Sequence, residues 1–263
     1  MQIKRVLVAA VLLPPFYFYI MKLPEVFFFA LLLVVSVLAQ WEFYTMYRIE
    51  GLMKTFGMLF GICTLCAARL TGNPYSSVSM LAFMAIITAR LFGRRDPSSS
   101  LRDISCAVLA LIYVPGLLSF QLLVRHAGPQ WIIFLFGCVW LADSCALYVG
   151  KNLGKKKLYA EVSPNKTVAG AVGSLVGGAF SGVVLNRLLL HEMDAWGAAL
   201  LGMIVGATTV VGDLAESMFK RDAGVKDSST LIPGHGGVLD KVDGALFAGP
   251  VLYWVSVAMG LMR

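Results

Sequence analysis

The sequence predicts an all-α polytopic membrane protein with about nine transmembrane helices, a cytoplasmic N-terminus and a C-terminus on the outer side. Three observations support this fold class. The chain is 58% hydrophobic and only 14% charged, with a mean hydropathy of +0.77, whereas soluble domains carry about 25% charged residues. Apolar stretches long enough to cross a bilayer recur along the chain. Lysine and arginine concentrate on one side of those stretches.

Nine stretches approach the roughly 20 mostly apolar residues that a span requires. They cover residues 4–21, 24–46, 53–70, 76–93, 102–124, 130–150, 168–187, 194–216 and 244–262. The first stretch could pass for a secretion signal, because Lys4 and Arg5 precede an apolar run. It has no small-residue cleavage site, and Pro14-Pro15 interrupts its middle. We therefore expect a retained, kinked first helix.

The basic residues predict the orientation. Of the 22 lysines and arginines, 17 fall at the N-terminus or in the loops after spans 2, 4, 6 and 8. The positive-inside rule then places the N-terminus and these loops in the cytoplasm, with the protein in the cytoplasmic (inner) membrane. The net charge of +7 is thus first a topology signal, and we expect no nucleic-acid partner.

The polar residues divide the chain into two regions. Residues 1–129 are predicted to form an N-terminal transmembrane scaffold of about five mostly lipid-facing helices, in which Glu42 snorkels to the interface or has a structural role. Residues 130–263 form about four helices with cytoplasmic loops at 151–167 and 217–243, and we expect the chemistry here. Glycine pairs spaced four residues apart in span 7 predict close helix packing.

The first polar group of the C-terminal region surrounds the loop after span 6. Asp143 lies within an apolar span, where an ionised carboxylate needs a cation, a metal or water. Four lysines follow between Lys151 and Lys157, and then Ser163-Pro164-Asn165-Lys166-Thr167, which we place at the start of span 7. A helix N-terminus with these side chains suits phosphate. A basic loop that binds anionic lipid head groups is the alternative.

The second polar group follows span 8. Asp213, Glu216, Ser217 and Lys220 have the spacing of one helical face, which indicates either a site or structural salt bridges. Beyond them lies a glycine-rich turn, residues 233–237, whose backbone could approach a ligand closely. Asp240 and Asp243 follow at the mouth of span 9. Carboxylates suit Mg²⁺, and lysines suit phosphate, so one cytoplasmic pocket is predicted to hold a metal and a polyphosphate.

The run from Ser217 to Asp243, SMFKRDAGVKDSSTLIPGHGGVLDKVD, closely resembles the signature of the phosphatidate cytidylyltransferase, or CDP-diacylglycerol synthase, family. The segments ADSCALYVGKNLGKKKL, SPNKTVAG and VVGDLAESMFKR are also similar to that family. The resemblance extends from about residue 130 to the end of the chain. One departure is Lys241, where the family usually has arginine, so a planar two-pronged contact is replaced by a point charge.

The resemblance implies that CTP and phosphatidic acid react to give CDP-diacylglycerol and pyrophosphate with Mg²⁺, a second cation and a homodimer being left open. Metal ligation is expected from Asp213, Asp240 and Asp243. Catalytic roles are expected for Lys226, Asp227 and His235. Substrate binding is expected from Asp143, Ser163, Asn165, Lys166, Thr167, Ser217, Lys220, Arg221, Gly236, Gly237 and Lys241.

Three other functions are less consistent with the sequence. An ion-coupled transporter should carry its charges at the bilayer midplane on paired repeats, whereas most acids here cluster at one leaflet. A CTP-dependent lipid-alcohol kinase would use the same nucleotide but transfer its γ-phosphoryl group. A noncatalytic scaffold does not account for so many site-like residues.

Overall fold

The computed structural model describes residues 13–73, 77–94, 96–231 and 236–262. Helix α1 covers residues 13–22 within this part of the chain. The following helices are α2 (Glu25–Met46), α3 (Gly51–Thr71), α4 (Ser77–Gly93), α5 (Ser100–Leu111), α6 (Leu117–Ala127), α7 (Pro129–Leu153), α8 (Val168–Leu185), α9 (Ala195–Asp222) and α10 (Leu239–Ala258). A π-helical turn, Ile112–Gly116, joins α5 to α6, and another, Asn186–Leu190, extends α8.

The helical membrane architecture agrees with the sequence. Six helical segments of the described chain are long and apolar enough to cross a bilayer: α2, α3, α5 with α6, α7, α8 with its π turn, and α9. Helix α4 is apolar but shorter, and α10 begins with charged residues. The chain is therefore an all-α polytopic membrane protein, while the count of nine spans and the orientation of the termini stay predictions.

Two predicted boundaries were wrong. Ser163–Thr167 is not the first turn of a helix but strand β2, which pairs antiparallel with β1 (Lys157–Tyr159). Pro164 therefore lies in a strand, and α8 begins only at Val168. Helix α10 begins at Leu239 rather than at residue 244. The sequence prediction placed its start too late because the polar first turn of α10 resembles a loop.

The N-terminal helices pack through buried polar contacts as well as apolar ones. In α2, Gln40 Nε2 donates to the Gly57 carbonyl of α3 at 2.9 Å, and the Tyr44 hydroxyl donates to the Ala107 carbonyl of α5 at 3.1 Å. Two-thirds of the apolar stretch formed by α5 and α6 is buried. The expectation of a mostly lipid-facing scaffold is thus wrong for this helix.

Helix α8 packs against its neighbours at backbone distance, as its glycine spacing predicted. A Cβ atom built at Gly173 or Gly177 would lie 2.9–3.0 Å from carbonyl oxygens of α7. A Cβ at Gly178 would lie 3.1 Å from the carbonyl carbon of Gly202 in α9, and one at Gly202 would lie 2.9 Å from Gly182 Cα. The glycines therefore form two faces, and α8 lies between α7 and α9.

Helix α10 and the N-terminal half complete the packing around α9. A Cβ at Gly212 would lie 2.6 Å from the Asp243 carbonyl oxygen, so α9 and α10 also touch through their backbones. On another face of α9, Phe219 makes edge contacts with Phe43 of α2 and Tyr113 of the π turn. The C-terminal end of α9 thus packs against both α10 and the N-terminal helices.

Because the α8–α9 crossing has no room for a Cβ atom, Gly178→Ala is expected to destabilise the protein. Overpacking typically costs about 1–3 kcal/mol, which outweighs the gain of about 0.5–1 kcal/mol from replacing a helical glycine by alanine. Thermal unfolding in detergent checks this. Gly93→Ala is the matched control, since a Cβ at Gly93 meets nothing within 4 Å. Equal melting temperatures for the two variants would contradict the packing argument.

Candidate active site

A cavity of about 690 Å³ opens where α7, the β-hairpin, the start of α8 and α9 meet. Its polar lining includes six residues that the sequence predicted, namely Asp143, Ser163, Asn165, Lys166, Thr167 and Asp213. Lys151 and Lys157 also line it; the sequence had indicated either phosphate or anionic lipid head groups as the partners of these lysines. The hairpin thus folds back so that residues from both sides of the 151–167 segment share one space.

Small residues allow the hairpin to close on α7. Thr167 precedes α8, and its Oγ1 accepts a hydrogen bond from the Gly170 amide at 3.1 Å, so it caps the helix. A Cβ at Gly150 of α7 would lie 3.0 Å from the same oxygen, and a Cβ at Gly154 would lie 2.7 Å from Thr167 Cβ. The cavity floor therefore depends on glycine in α7 and on the threonine cap.

Acidic residues of α9 and α10 meet beside this cavity. Asp213, Glu216 and Asp243 each place one carboxylate oxygen so that the three atoms lie within 4.8 Å of one another. Lys166 Nζ from the hairpin lies 2.5 Å from Asp213 Oδ2. Three converging carboxylates in a partly buried site repel one another unless cations neutralise them. The donor set fits a hard divalent cation, which prefers oxygen ligands.

Lys220 links this cluster to Asp240. Its Nζ lies 2.6 Å from Glu216 Oε2, one turn earlier in α9, and 2.6 Å from Asp240 Oδ1 in α10. Glu216 and Asp240 are almost completely shielded from solvent. A buried ion pair whose partner is removed leaves an uncompensated charge, which costs about 3–5 kcal/mol. Lys220 therefore ties α9 to the first turn of α10.

The second oxygen of Asp240 holds the loop between α9 and α10. Asp240 Oδ2 accepts hydrogen bonds from the Gly237 amide at 2.7 Å, the Ser228 amide at 3.1 Å and the Ser228 hydroxyl at 2.9 Å. Gly236 has a left-handed backbone with φ of +83°, and a Cβ there would meet the Asp240 carboxylate. The glycine-rich turn thus approaches a carboxylate of the protein itself.

Comparisons with known proteins identify the family of this chain. The model of the cytidylyltransferase family matches residues 3–259. A phosphatidate cytidylyltransferase of Synechocystis sp. is 32% identical over 89% of this chain and 89% of its own length. Those of Brucella suis (32% identity, 86% of this chain, 82% of the relative) and Staphylococcus haemolyticus (34%, 61% and 62%) are also similar.

The chain belongs to the cytidylyltransferase family. The recognised family is therefore the one that the C-terminal signature indicated, and the match also includes the N-terminal helices. Because the chain covers most of the first two relatives, the shared unit is the whole membrane domain rather than the signature alone.

The remaining predicted residues of this cytidylyltransferase lie around the cluster. The Ser217 hydroxyl lies 3.4 Å from Asp213 Oδ1. Arg221 donates to the carbonyls of Val162 and Val225, so it anchors the hairpin turn and the following loop. Lys226, Asp227 and Lys241 are exposed, and His235 lies outside the described residues. Their roles stay predictions, as do those of the other predicted metal-binding and substrate-binding residues.

Two acids received no ligand or substrate role from the sequence. Glu216 lies on the same helical face as Asp213 and Lys220, so its spacing already signalled a place in the cluster. Glu42 of α2 is fully buried, which excludes snorkelling and agrees with a structural role. It lies against the Ser228–Leu239 segment, with which it shares four hydrogen bonds. No local pattern in the sequence pairs residues so far apart.

Replacing the Thr167 hydroxyl is expected to weaken the cap of α8. Thr167→Val keeps the shape of the side chain but removes the acceptor for the Gly170 amide, and loss of such a cap costs about 0.5–2 kcal/mol. For a chain of this size that corresponds to a fall in melting temperature of about 2–4 °C per kcal/mol. Thr167→Ser retains the acceptor and should melt near wild type. A Thr167→Val variant that melts like the serine variant would refute the cap.

Proposed function

We propose that this chain is a phosphatidate cytidylyltransferase that transfers the cytidylyl group of CTP to phosphatidic acid in phospholipid biosynthesis. The observation that carries the proposal is the acidic cluster of Asp213, Glu216 and Asp243 beside a lysine-lined cavity. The names of the relatives, which cover most of the chain, support the same reaction.

The cavity suits the nucleotide. Its volume of about 690 Å³ lies within the range of about 300–1,000 Å³ usual for small-molecule sites. Lys151, Lys157 and Lys166 bring positive charge to its wall, and a triphosphate needs such charge to leave water. We assign the triphosphate of CTP to this lysine-lined wall, with Ser163, Asn165 and Thr167 as hydrogen-bonding partners.

The acidic cluster suits Mg²⁺, which commonly binds through one or two carboxylates together with substrate phosphates. Asp213, Glu216 and Asp243 are the proposed ligands, and Asp240 remains a predicted ligand although its carboxylate here bonds to Lys220 and to the loop. The metal would offset negative charge on the phosphates of the substrate. Lys166 and Lys220 form ion pairs with acids of this cluster and hold those acids in position.

The reaction itself needs little acid–base chemistry. A phosphate monoester has its second pKa near 6, so phosphatidate is largely ionised at neutral pH. One of its oxygens attacks the α-phosphorus of CTP, the new P–O bond forms, and the bond to the β-phosphate oxygen breaks to release pyrophosphate. The protein aligns the two phosphates and offsets their charge. Lys220, Lys226 and Arg221 are the predicted partners for that charge.

The proposed site faces the cytoplasm, where CTP is made available, and the protein lies in the cytoplasmic membrane. The excess of lysine and arginine in the loops after spans 2, 4, 6 and 8 supports this orientation. The hairpin and the loop between α9 and α10 both belong to that side. Phosphatidic acid would then enter from the same leaflet.

Two radiolabels test the reaction. Purified protein is incubated with phosphatidic acid, Mg²⁺ and CTP labelled either on cytosine or on the γ-phosphate. Cytosine label is expected in the organic phase, and γ-label is expected in water as pyrophosphate. Entry of γ-label into lipid would identify a lipid kinase instead. Absence of both labels from lipid, with folded protein, would reject cytidylyl transfer.

The metal cluster is tested by Asp243→Asn. Asparagine retains an oxygen for the Gly244 amide, which donates to Asp243 Oδ1 at 2.8 Å, but it loses the charge. Turnover is expected to fall on the order of 10²–10³-fold, as when one electrostatic partner of developing charge is removed. The melting temperature should not fall, because the variant removes one of three carboxylates that repel one another. Glu192→Gln, at an exposed position after α8, is the control. Full activity of Asp243→Asn would remove this residue from the site.

A further inference from the structure

The N-terminus of α10 is capped from a distant part of the chain. Its N-cap position is Val238, whose apolar side chain has no acceptor for the free amides of the first turn. Glu42 of α2 takes that place. Its Oε1 accepts from the Val238 amide at 2.9 Å, and its Oε2 accepts from the Leu239 amide at 2.8 Å. A carboxylate at this end also interacts favourably with the helix dipole.

The same carboxylate holds the middle of the loop. The Ser229 hydroxyl donates to Glu42 Oε1 at 2.7 Å, and the Ser228 hydroxyl lies 3.1 Å from Oε2. Glu42 Oε1 is thus engaged by two donors, whereas Oε2 accepts the Leu239 amide and shares the single proton of the Ser228 hydroxyl with Asp240 Oδ2. Glu42 is 0% exposed, and a buried charge of this kind persists only where several donors satisfy it.

The loop is fitted closely to Glu42. A Cβ atom at Gly237 would lie 2.6 Å from Glu42 Cδ and would also overlap the Ser228 hydroxyl. That hydroxyl lies between two carboxylates, those of Glu42 and Asp240. Glu42 from the N-terminal half and Asp240 from the C-terminal half therefore both contact Ser228, and each also accepts a backbone amide at the start of α10 or just before it.

We propose that Glu42 is a positioning residue for the reaction: by holding Ser228 and Ser229 and by capping α10, it keeps Asp240 and Asp243 in place beside Asp213 and Glu216. Its effect on turnover rests on the proposed function, but its effect on the loop does not. Glu42 touches neither substrate nor metal in this account. It acts through the backbone of residues 238 and 239, the start of the helix that carries two of the site acids.

Glu42→Gln is the principal test because it retains the size of the side chain but supplies only one acceptor oxygen. The loop amides should lose protection, so hydrogen exchange of peptides covering residues 225–240 should accelerate. The turnover number for cytidylyl transfer should fall by about 10–100-fold, the usual effect of removing an outer-shell partner. The melting temperature should fall in this variant as it does in the control described next, so exchange and turnover are the measurements that distinguish the two.

Gln40→Met is the matched control. Gln40 lies two residues away in α2 and is also buried at 1% exposure, but it bonds to Tyr44 and Gly57 within the N-terminal half. This variant should lower the melting temperature without faster exchange at 225–240 and without loss of turnover in the folded fraction. If Glu42→Gln behaves in the same way, Glu42 is merely structural and the proposal fails.

Ser229→Ala provides a milder second variant that removes one of the four donors to Glu42. If both residues act through one anchor, the double variant Glu42→Gln/Ser229→Ala should lose less turnover than the product of the two single losses. If the loss of turnover in the double variant equals the product of the two single losses, the two residues act independently and do not share one anchor. Wild-type protein without cytidylyl transfer would reject the proposed function, whereas the exchange data would still decide whether Glu42 holds the loop.

Discussion

The contact of α8 with both of its neighbours at backbone distance is the constraint on which the site depends. The glycines on its two faces allow α7 and α9 to approach so closely that Asp143 and Asp213 line the same cavity. Larger side chains would separate the three helices, and the distance from Lys166 to Asp213 would increase with them. In a bilayer, where apolar burial gives little drive for helix association, such close packing is itself a main source of stability.

Close packing creates an electrostatic problem that the lysines solve only in part. Asp213, Glu216, Asp240 and Asp243 gather where α9 meets α10, and the side chains of Glu216 and Asp240 are largely shielded from water. The ion pairs among the described residues here bring in Lys166 and Lys220. Negative charge therefore exceeds positive charge at the point where the carboxylates converge. An excess of this kind destabilises the protein alone but favours a divalent cation and its phosphate ligands. The excess negative charge thus lowers the stability of the protein alone while it favours the binding of a cation.

The sequence could predict the features that have a local pattern. Apolar length located the helices, glycine spacing located the α8 contacts, and the i, i+3, i+7 spacing placed Asp213, Glu216 and Lys220 on one face. The hairpin was missed because five residues with an internal proline, Ser163–Thr167, fit a helix start as well as a short strand. The start of α10 was missed because its charged first turn reads as loop. The partner of Glu42 lies about 190 residues away, and no periodicity records such a distance.

The contacts of Glu42 give the N-terminal half a role in holding the loop that carries the family signature. The described parts of the signature loop between α9 and α10, residues 223–231 and 236–238, contain little regular secondary structure, so contacts with other parts of the chain are needed to fix their position. Asp240 holds it from the C-terminal side, and Glu42 holds it from α2. A C-terminal half alone would retain most of the signature residues but would lose one of these two anchors. The match of the family model from residue 3 to residue 259 includes both anchors.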